Sequence, residues 1–234
     1  GEKLMDRAGQ GVADIARRVA ETAGFYNPTI HLLAGRGNNG GDVFAAARHL
    51  KSMGLRVEVW LAGAANEVHG DALKHMSRMK SAGIALEELP TKEDWDQEMP
   101  FDAFGDVLVD GILGTGTTGP ARGPAAGAIQ YINAHSMDSL VVAVDIPSGL
   151  NADTGAAEGE VVRADVTVTM GLPKKGLVEP CALDYVGSVE VINIGIPDEY
   201  ISQMQMESDR EMIYLTDLKP LFRRRPRASH KGDY

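Results

Sequence analysis

The feature that most constrains the fold of this chain is a glycine-rich stretch, residues 34–42, between two runs of different character. Residues 29–33 are short and mostly apolar, as in a buried strand, whereas residues 43–50 have the composition of a helix. Glycine permits left-handed dihedrals and close approach of a ligand, and the first N–H groups of a helix have no partner within the helix. We therefore interpret the stretch as a loop that binds a phosphate or a sugar diphosphate.

The rest of the chain repeats this strand–loop–helix rhythm. Leu4, Met5, Ala8, Val12 and Ile15 recur at steps of three and four, which predicts a first helix that ends near Ala23. Alternating strands and helices indicate one α/β domain built on a mostly parallel sheet. Strands are predicted at residues 29–33, 56–61, 84–89, 106–110, 139–144, 166–170 and 188–193, helices at 43–50, 67–81 and 125–134, and a surface connection with one helical turn at 90–100.

Two further strands end in loops of the ligand-binding type. Residues 114–119 form a second glycine-rich loop after the strand that closes with Asp110, and Asp145 closes the most apolar strand of the chain. Because the carboxyl ends of parallel strands share one edge of the sheet, we expect these loops to converge. The second loop carries hydroxyl groups and is the better phosphate cradle, since Asp42, predicted in the first turn of its helix, would repel a pyrophosphate there. A plain flexible connection is the alternative.

Asp110 and Asp145 carry the clearest chemical signal. A carboxylate at the end of a buried strand is costly to keep charged unless a cation or hydrogen-bond donors meet it. One of the two can bind a cation and the other can move a proton. The structural alternatives are that Asp145 caps the turn at residues 146–149 and that Asp110 bonds loop amides.

The histidines do not have the spacing of a metal site. The six histidines have no metal-ligand spacing. We predict His31 within a strand and four other histidines on helix surfaces: His49, His69, His75 and His135.

Composition limits the partners and the compartment. A formal net charge of −10 argues against nucleic acid or an acidic membrane as a partner. No apolar run approaches the roughly 20 residues of a membrane span. The single cysteine, Cys181, rules out an intrachain disulfide and suits a reducing compartment, so we expect a cytoplasmic protein.

Three motifs in order, residues 35–42, 110–116 and 144–150, resemble the YjeF N-terminal domain family, the NAD(P)H-hydrate epimerases. The likeness extends from residues 4–9 to residues 194–197 and is far more specific than either glycine loop alone. Val43 and Asp6 stand where many relatives carry glycine and glutamate. The resemblance implies a Rossmann-like three-layer αβα sandwich with a mostly parallel sheet.

The resemblance also implies an activity: an isomerase that epimerises the (R) and (S) forms of hydrated NADH or NADPH at C6 of the nicotinamide ring. This repair step lets an ADP-dependent dehydratase, fused or separate, use either epimer. Asp145 is the hypothesised catalytic acid/base, a potassium ion maps onto Asn39, Asp110 and Ser148, and relatives pair as homodimers. The implied substrate-binding residues are Asn38, Asn39, Gly40, Gly41, Asp42, Gly114, Thr115, Gly116, Thr117, Thr118, Gly119, Pro120 and Asp145.

The last residues suggest a domain junction. Residues 229–234 are similar to the opening of the dehydratase domain that often follows this one. We therefore predict an epimerase domain at residues 1–222, followed by a linker and the start of a truncated dehydratase domain at 223–234. A plain basic tail is the alternative.

Two rival functions share the glycine loops. A nicotinamide dehydrogenase should end its second strand in a ribose-binding acid, but Glu58 lies inside the predicted strand. A binding module could keep the fold and the ligand without turnover, and only an assay separates it from the enzyme.

Overall fold

The computed structural model describes residues 1–96, 106–197 and 199–200. The chain divides into two compact units, Gly1–Gly195 and Ile196–Tyr234. Most of the second unit, including the predicted linker and dehydratase start at 223–234, lies outside the described residues, so the predicted domain boundary stays a prediction. The sections below concern the first unit.

The first unit alternates helices with strands, as predicted, except that the fifth and sixth strands follow each other without a helix between them. Its helices are α1 (Glu2–Ala23), α2 (Asn38–Ser52), α3 (Gly70–Ser81), α4 (Glu93–Asp96), α5 (Gly123–His135) and α6 (Leu183–Val186). Its strands are β1 (Thr29–Ala34), β2 (Arg56–Leu61), β3 (Leu86–Glu88), β4 (Val107–Gly111), β5 (Leu140–Val144), β6 (Val166–Met170) and β7 (Ser188–Ile192). Short 3₁₀ helices occupy Ala65–Glu67, Lys175–Val178 and Pro180–Ala182.

Within the described residues the strands form one sheet in the order β3-β2-β1-β4-β5-β6-β7. Every recorded pairing between neighbouring strands is parallel. The order reverses between β1 and β4, whose last residues Ala34 and Gly111 lie side by side. A ligand site is expected at that reversal, because the loops after the two strands leave in opposite directions and open a crevice.

Helices cover both faces of the sheet, which confirms the three-layer αβα sandwich. Alternate residues of β1 point to opposite faces. Leu32 packs with α1, α2 and α3 residues such as Val12 and Phe44, whereas Leu33 packs with Trp60 and with Ile129 of α5. No helix in the part of the chain described here is long and apolar enough to cross a membrane.

Two local predictions were wrong, and a third was right in part. Helix α2 begins at Asn38, inside the glycine-rich stretch, so Asp42 lies in the second helical turn and not in the first. His75 is fully buried and its Nε2 lies 3.2 Å from the carbonyl oxygen of Glu2. The polar connection has its predicted helical turn in α4, but its Trp95 is buried, with Tyr131 of α5 at a ring-centroid distance of 6.0 Å.

Candidate active site

The loop after β1 is closed by backbone contacts that only glycine permits. A Cβ on Gly35 would lie 1.8 Å from the carbonyl oxygen of Ile112, and one on Gly40 would lie 1.8 Å from the carbonyl oxygen of Gly35. The Gly35 N–H donates to the carbonyl of Gly111 at 3.0 Å. The ends of β1 and β4 and the first turn of α2 are therefore packed backbone to backbone.

Asn39, Asp110 and Ser148, the three residues mapped onto a potassium site, meet at this junction. Asp110 accepts hydrogen bonds from the N–H and the hydroxyl of Ser148, the former at 2.8 Å. The Asn39 amide donates to the carbonyl of Leu113 at 2.9 Å, and the Leu113 N–H donates to the Ser148 hydroxyl at 2.8 Å. The three residues that the family resemblance groups together therefore lie beside one another.

Asp110 is a buried carboxyl group with polar neighbours but no cationic one among its recorded partners. Burial raises its pKa to about 6, and hydrogen bonds from Ser148 and from the Ile112 N–H oppose that rise. The alternative interpretation of Asp110, that it bonds loop amides, is also correct.

A cleft of about 230 Å³ lies beside this cluster at the carboxyl edge of the sheet. Asn38, Asp42 and Asp145 contribute polar side chains to its lining. Leu4, Met5 and Ala8 of α1 contribute apolar side chains, as do Met170 and Ile194. The cleft thus joins carboxyl groups with a surface suited to a flat, weakly polar ring.

Asp145 is held in an unusual backbone conformation. Its φ is +66°, in the left-handed region that asparagine and aspartate tolerate better than other non-glycine residues. Its carboxylate accepts hydrogen bonds from the Met170 N–H at 3.1 Å and the Thr169 hydroxyl at 3.3 Å. It does not cap the turn at residues 146–149, so that alternative was wrong. Non-glycine residues in this region are concentrated at functional sites.

Lys174 forms an ion pair with Asp145 that the sequence did not reveal. Its ammonium group donates to Asp145, to the Thr169 hydroxyl at 3.1 Å and to the Met170 carbonyl at 3.3 Å. Both side chains are about four-fifths buried, with 22% and 18% of their surface exposed. The pairing could have been found from the strand order. Asp145 follows β5 and Lys174 follows β6, and the ends of adjacent parallel strands are neighbours.

The predicted substrate residues fall into separate places. Asn38 and Asp42 line the cleft, whereas Asn39, Gly40 and Gly41 are buried in α2. In the second loop, Gly114, Thr117 and Gly119 line a small polar pocket with Asn151 and Glu158. Helix α5 begins at Gly123, after this loop, as predicted to within a few residues. Four loop residues face solvent: Thr115, Gly116, Thr118 and Pro120.

Fold and cleft together define a Rossmann-like α/β protein with an acidic ligand cleft at the carboxyl edge of its sheet. The sequence signature of the family described as YjeF-related protein N-terminus matches residues 1–176. The chain belongs to this family, as the three sequence motifs indicated.

Curated relatives divide into long and short proteins. The chain is 38% identical over 233 residues to the bifunctional NAD(P)H-hydrate repair enzyme Nnr of Thermofilum pendens, matching all of this chain but 42% of that protein. It is 36% identical over 203 residues to the NAD(P)H-hydrate epimerase of Rhodopirellula baltica, covering 87% of this chain and 79% of that one. The chain therefore spans under half of the bifunctional relative and most of the epimerase.

A solved structure supports the fold. The crystal structure of yeast ynu0 superposes with a TM-score of 0.71 over 86% of this chain and 82% of that chain, at 23% identity. At that identity the likeness shows the fold alone.

Proposed function

We propose that this chain is an NAD(P)H-hydrate epimerase, an isomerase that interconverts the (R) and (S) forms of hydrated NADH or NADPH at C6. The observation that carries the proposal is the Asp145 carboxylate, fixed by Lys174 at the wall of the cleft, in a chain whose relatives bear that name. Epimerisation at C6 breaks and remakes the bond between C6 and its hydroxyl oxygen, and a positioned carboxylate can transfer the protons that these steps require.

The cleft supplies two things that the reaction needs. Met5 and Met170 offer an apolar surface to the hydrated nicotinamide ring. Asp145, in the lining of the same cleft, exchanges a proton with the C6 hydroxyl or with water bound there. Its backbone N–H donates to the Val168 carbonyl at 2.7 Å, so the catalytic group is anchored to β6 at main chain and side chain.

A dehydrogenase fits this structure less well. Glu58 lies in the middle of β2, where its carboxylate is 3.6 Å from His31 Nε2, and β2 ends at Leu61. The ribose-binding acid expected at the end of the second strand is therefore not there.

We further propose that Asn39, Asp110 and Ser148 hold a potassium ion. The donors are amide, carboxylate and hydroxyl oxygens, as a hard monovalent cation prefers, and the buried negative charge of Asp110 lacks a cationic side chain among its recorded contacts. Such an ion would supply positive charge beside the loops that follow β1, β4 and β5. It would take no part in the proton transfer.

Adding potassium should raise the melting temperature of the native chain, since an ion that binds only the folded state stabilises it by mass action, by about 2.7 kcal/mol at 100 times Kd. Differential scanning fluorimetry with potassium chloride against choline chloride at equal ionic strength measures the shift. Asp110→Asn should abolish it.

The matched control is Asp106→Asn, at the other end of β4, where Asp106 accepts a hydrogen bond from the Thr29 N–H at 2.8 Å. That variant should lower the baseline stability and keep the potassium response. An equal response in Asp110→Asn and the native chain would contradict the site.

A coupled assay tests the epimerase proposal. An ADP-dependent dehydratase that uses one epimer should stall when that epimer is consumed from an equilibrated mixture of hydrated NADH. Adding the chain should carry repair to completion, seen as the return of NADH absorbance. A stalled reaction that the chain leaves unchanged would refute the proposal and favour the binding module.

A further inference from the structure

The cleft contains a second carboxyl group, that of Asp42, which differs from Asp145 in its hydrogen-bond partners. Asp42 lines the same cleft from α2. Among the residues that the structure describes, none donates a hydrogen bond to it, whereas Asp145 accepts one from Lys174, one from Thr169 and one from the Met170 N–H. The two carboxyl groups are close enough for the charge of Asp145 to act on Asp42.

Burial and the negative charge of Asp145 favour the protonated form of Asp42. Burial is the largest effect and raises its pKa to about 8, and the negative charge of Asp145 adds to the rise, while Lys174 opposes it. Asp71, at the start of α3, also lines the cleft, but it is paired with Lys74 at 2.8 Å. A neutral Asp42 therefore faces an Asp145 whose charge is balanced by the Lys174 ammonium.

We propose that Asp42 is the general acid that acts opposite Asp145 as base, and that Lys174 is the positioning residue that assigns these two roles. This inference rests on the proposed epimerase function. It assigns proton transfer to a residue for which the family resemblance implies only substrate contact, and a role to a lysine for which it implies none.

The reaction balances with these groups and water alone. Asp42 gives its proton to the C6 hydroxyl, the C6–O bond breaks, water leaves, and the lone pair of N1 forms a C6=N1 double bond. Water then adds to the opposite face of C6, the π pair returns to N1, and Asp145 takes the proton released by the water. The proton passes back to Asp42 through solvent, and the opposite epimer reacts by the same steps in reverse.

Asp42→Asn tests the acid, because asparagine keeps the size and polarity of the side chain but has no acidic proton to give. We expect kcat for epimer exchange to fall by about 10²-fold, the scale of general acid catalysis, with a much smaller change in KM. In the native enzyme kcat/KM should decline as the pH rises through about 8, where Asp42 ionises. The residual activity of Asp42→Asn should lack this alkaline limb.

The surface substitution Asp14→Asn, on an exposed position of α1, is the control for loss of one negative charge and should leave the alkaline limb in place. A second readout checks that Asp42 is protonated without any assay of activity. The folded state binds this proton more tightly than the unfolded chain, so native stability should fall relative to Asp42→Asn as the pH rises from about 4 to about 8. Urea denaturation of both proteins across that range measures the difference.

Lys174→Met tests the positioning role. Because Lys174 lowers the pKa of Asp42, its removal should lower kcat and move the alkaline limb to higher pH. Lys174→Arg, which keeps the positive charge, should restore the native pH profile. A lysine with a merely structural role would move the melting temperature and leave the pH profile unchanged.

The outcomes separate the two proposals. A native chain that exchanges no epimers overturns the epimerase function itself. An active native chain together with an Asp42→Asn variant of native kcat and native alkaline limb overturns only the acid assignment. If Asp42→Asn unfolds, Asp42→Glu takes its place, and it must keep the alkaline limb for the assignment to stand.

Discussion

Asp145→Asn should reduce epimer exchange by about 10³-fold or more, because it removes the proton-accepting group and leaves the Lys174 ammonium without its partner. Asparagine is the appropriate replacement, since the φ of +66° at this position is tolerated by asparagine but strained for alanine. Exchange is measured from a single separated epimer by chromatography, with the melting temperature recorded alongside.

The control for this variant is Asp138→Asn, an exposed residue just before the amino end of β5. It removes the same charge from the opposite end of the strand and should leave exchange unchanged. Asp145→Gly, which accepts the left-handed backbone without strain, should be as inactive as Asp145→Asn. Activity within a few-fold of native in either Asp145 variant would disprove the proton-transfer role.

Gly40→Ala, in the first turn of α2, should strongly disturb the packing of the glycine-rich stretch 34–42. The new Cβ would sit 1.8 Å from the carbonyl oxygen of Gly35, and that oxygen belongs to the backbone, so α2 or β1 must move. Overpacking of this kind costs about 1–3 kcal/mol or more. Urea denaturation should show the loss, and the potassium response should weaken with it because Asn39 is the neighbouring residue.

Gly37→Ala is the matched control within the same glycine-rich stretch, residues 34–42. Its added Cβ meets nothing within 4 Å, and its φ of −90° suits alanine. Because Gly37 precedes α2 and does not lie inside it, the substitution should lower the free energy of unfolding by less than about 1 kcal/mol. Equal stability losses for Gly37→Ala and Gly40→Ala would show that the backbone contact at Gly40 does not constrain the loop.

These glycines also show where sequence reasoning fails. Local propensity penalises glycine in a helix by about 1 kcal/mol, so Gly40 and Gly41 read as loop residues. In the structure both lie inside α2. A Cβ on Gly40 would lie 1.8 Å from the Gly35 carbonyl oxygen, and one on Gly41 would lie 2.6 Å from Met5 Sδ. Glycine at these two positions is thus required by tertiary contacts that no local pattern contains.

Val43 illustrates a departure that the structure explains. It stands where many relatives carry glycine, yet it is buried in α2 and faces Gly111 of β4. A Cβ on Gly111 would lie 2.1 Å from Val43 Cγ2, so the missing side chain on the strand makes room for the valine on the helix.

The periodicity of apolar residues predicted the positions of most strands and helices, and it also contained a signal for the burial of His75. Strands and helices were placed correctly to within a few residues because apolar positions repeat at two or about 3.6 residues. The same rule applied to α3 groups His75 with the buried Ala72, Met76 and Met79 at steps of three and four, so the burial of His75 was predictable. The pairing of Lys174 with Asp145 required the strand order, which local patterns do not give.

The most direct test of the central claim is an NMR time course on one purified epimer of hydrated NADH with the native chain, in buffer containing potassium. We expect the opposite epimer to appear at a rate proportional to protein concentration and far above the spontaneous rate, until the equilibrium ratio is reached. If the compound binds, as seen in line broadening, while the epimer interconverts only at its spontaneous rate, the chain is a binding module and the epimerase claim is wrong.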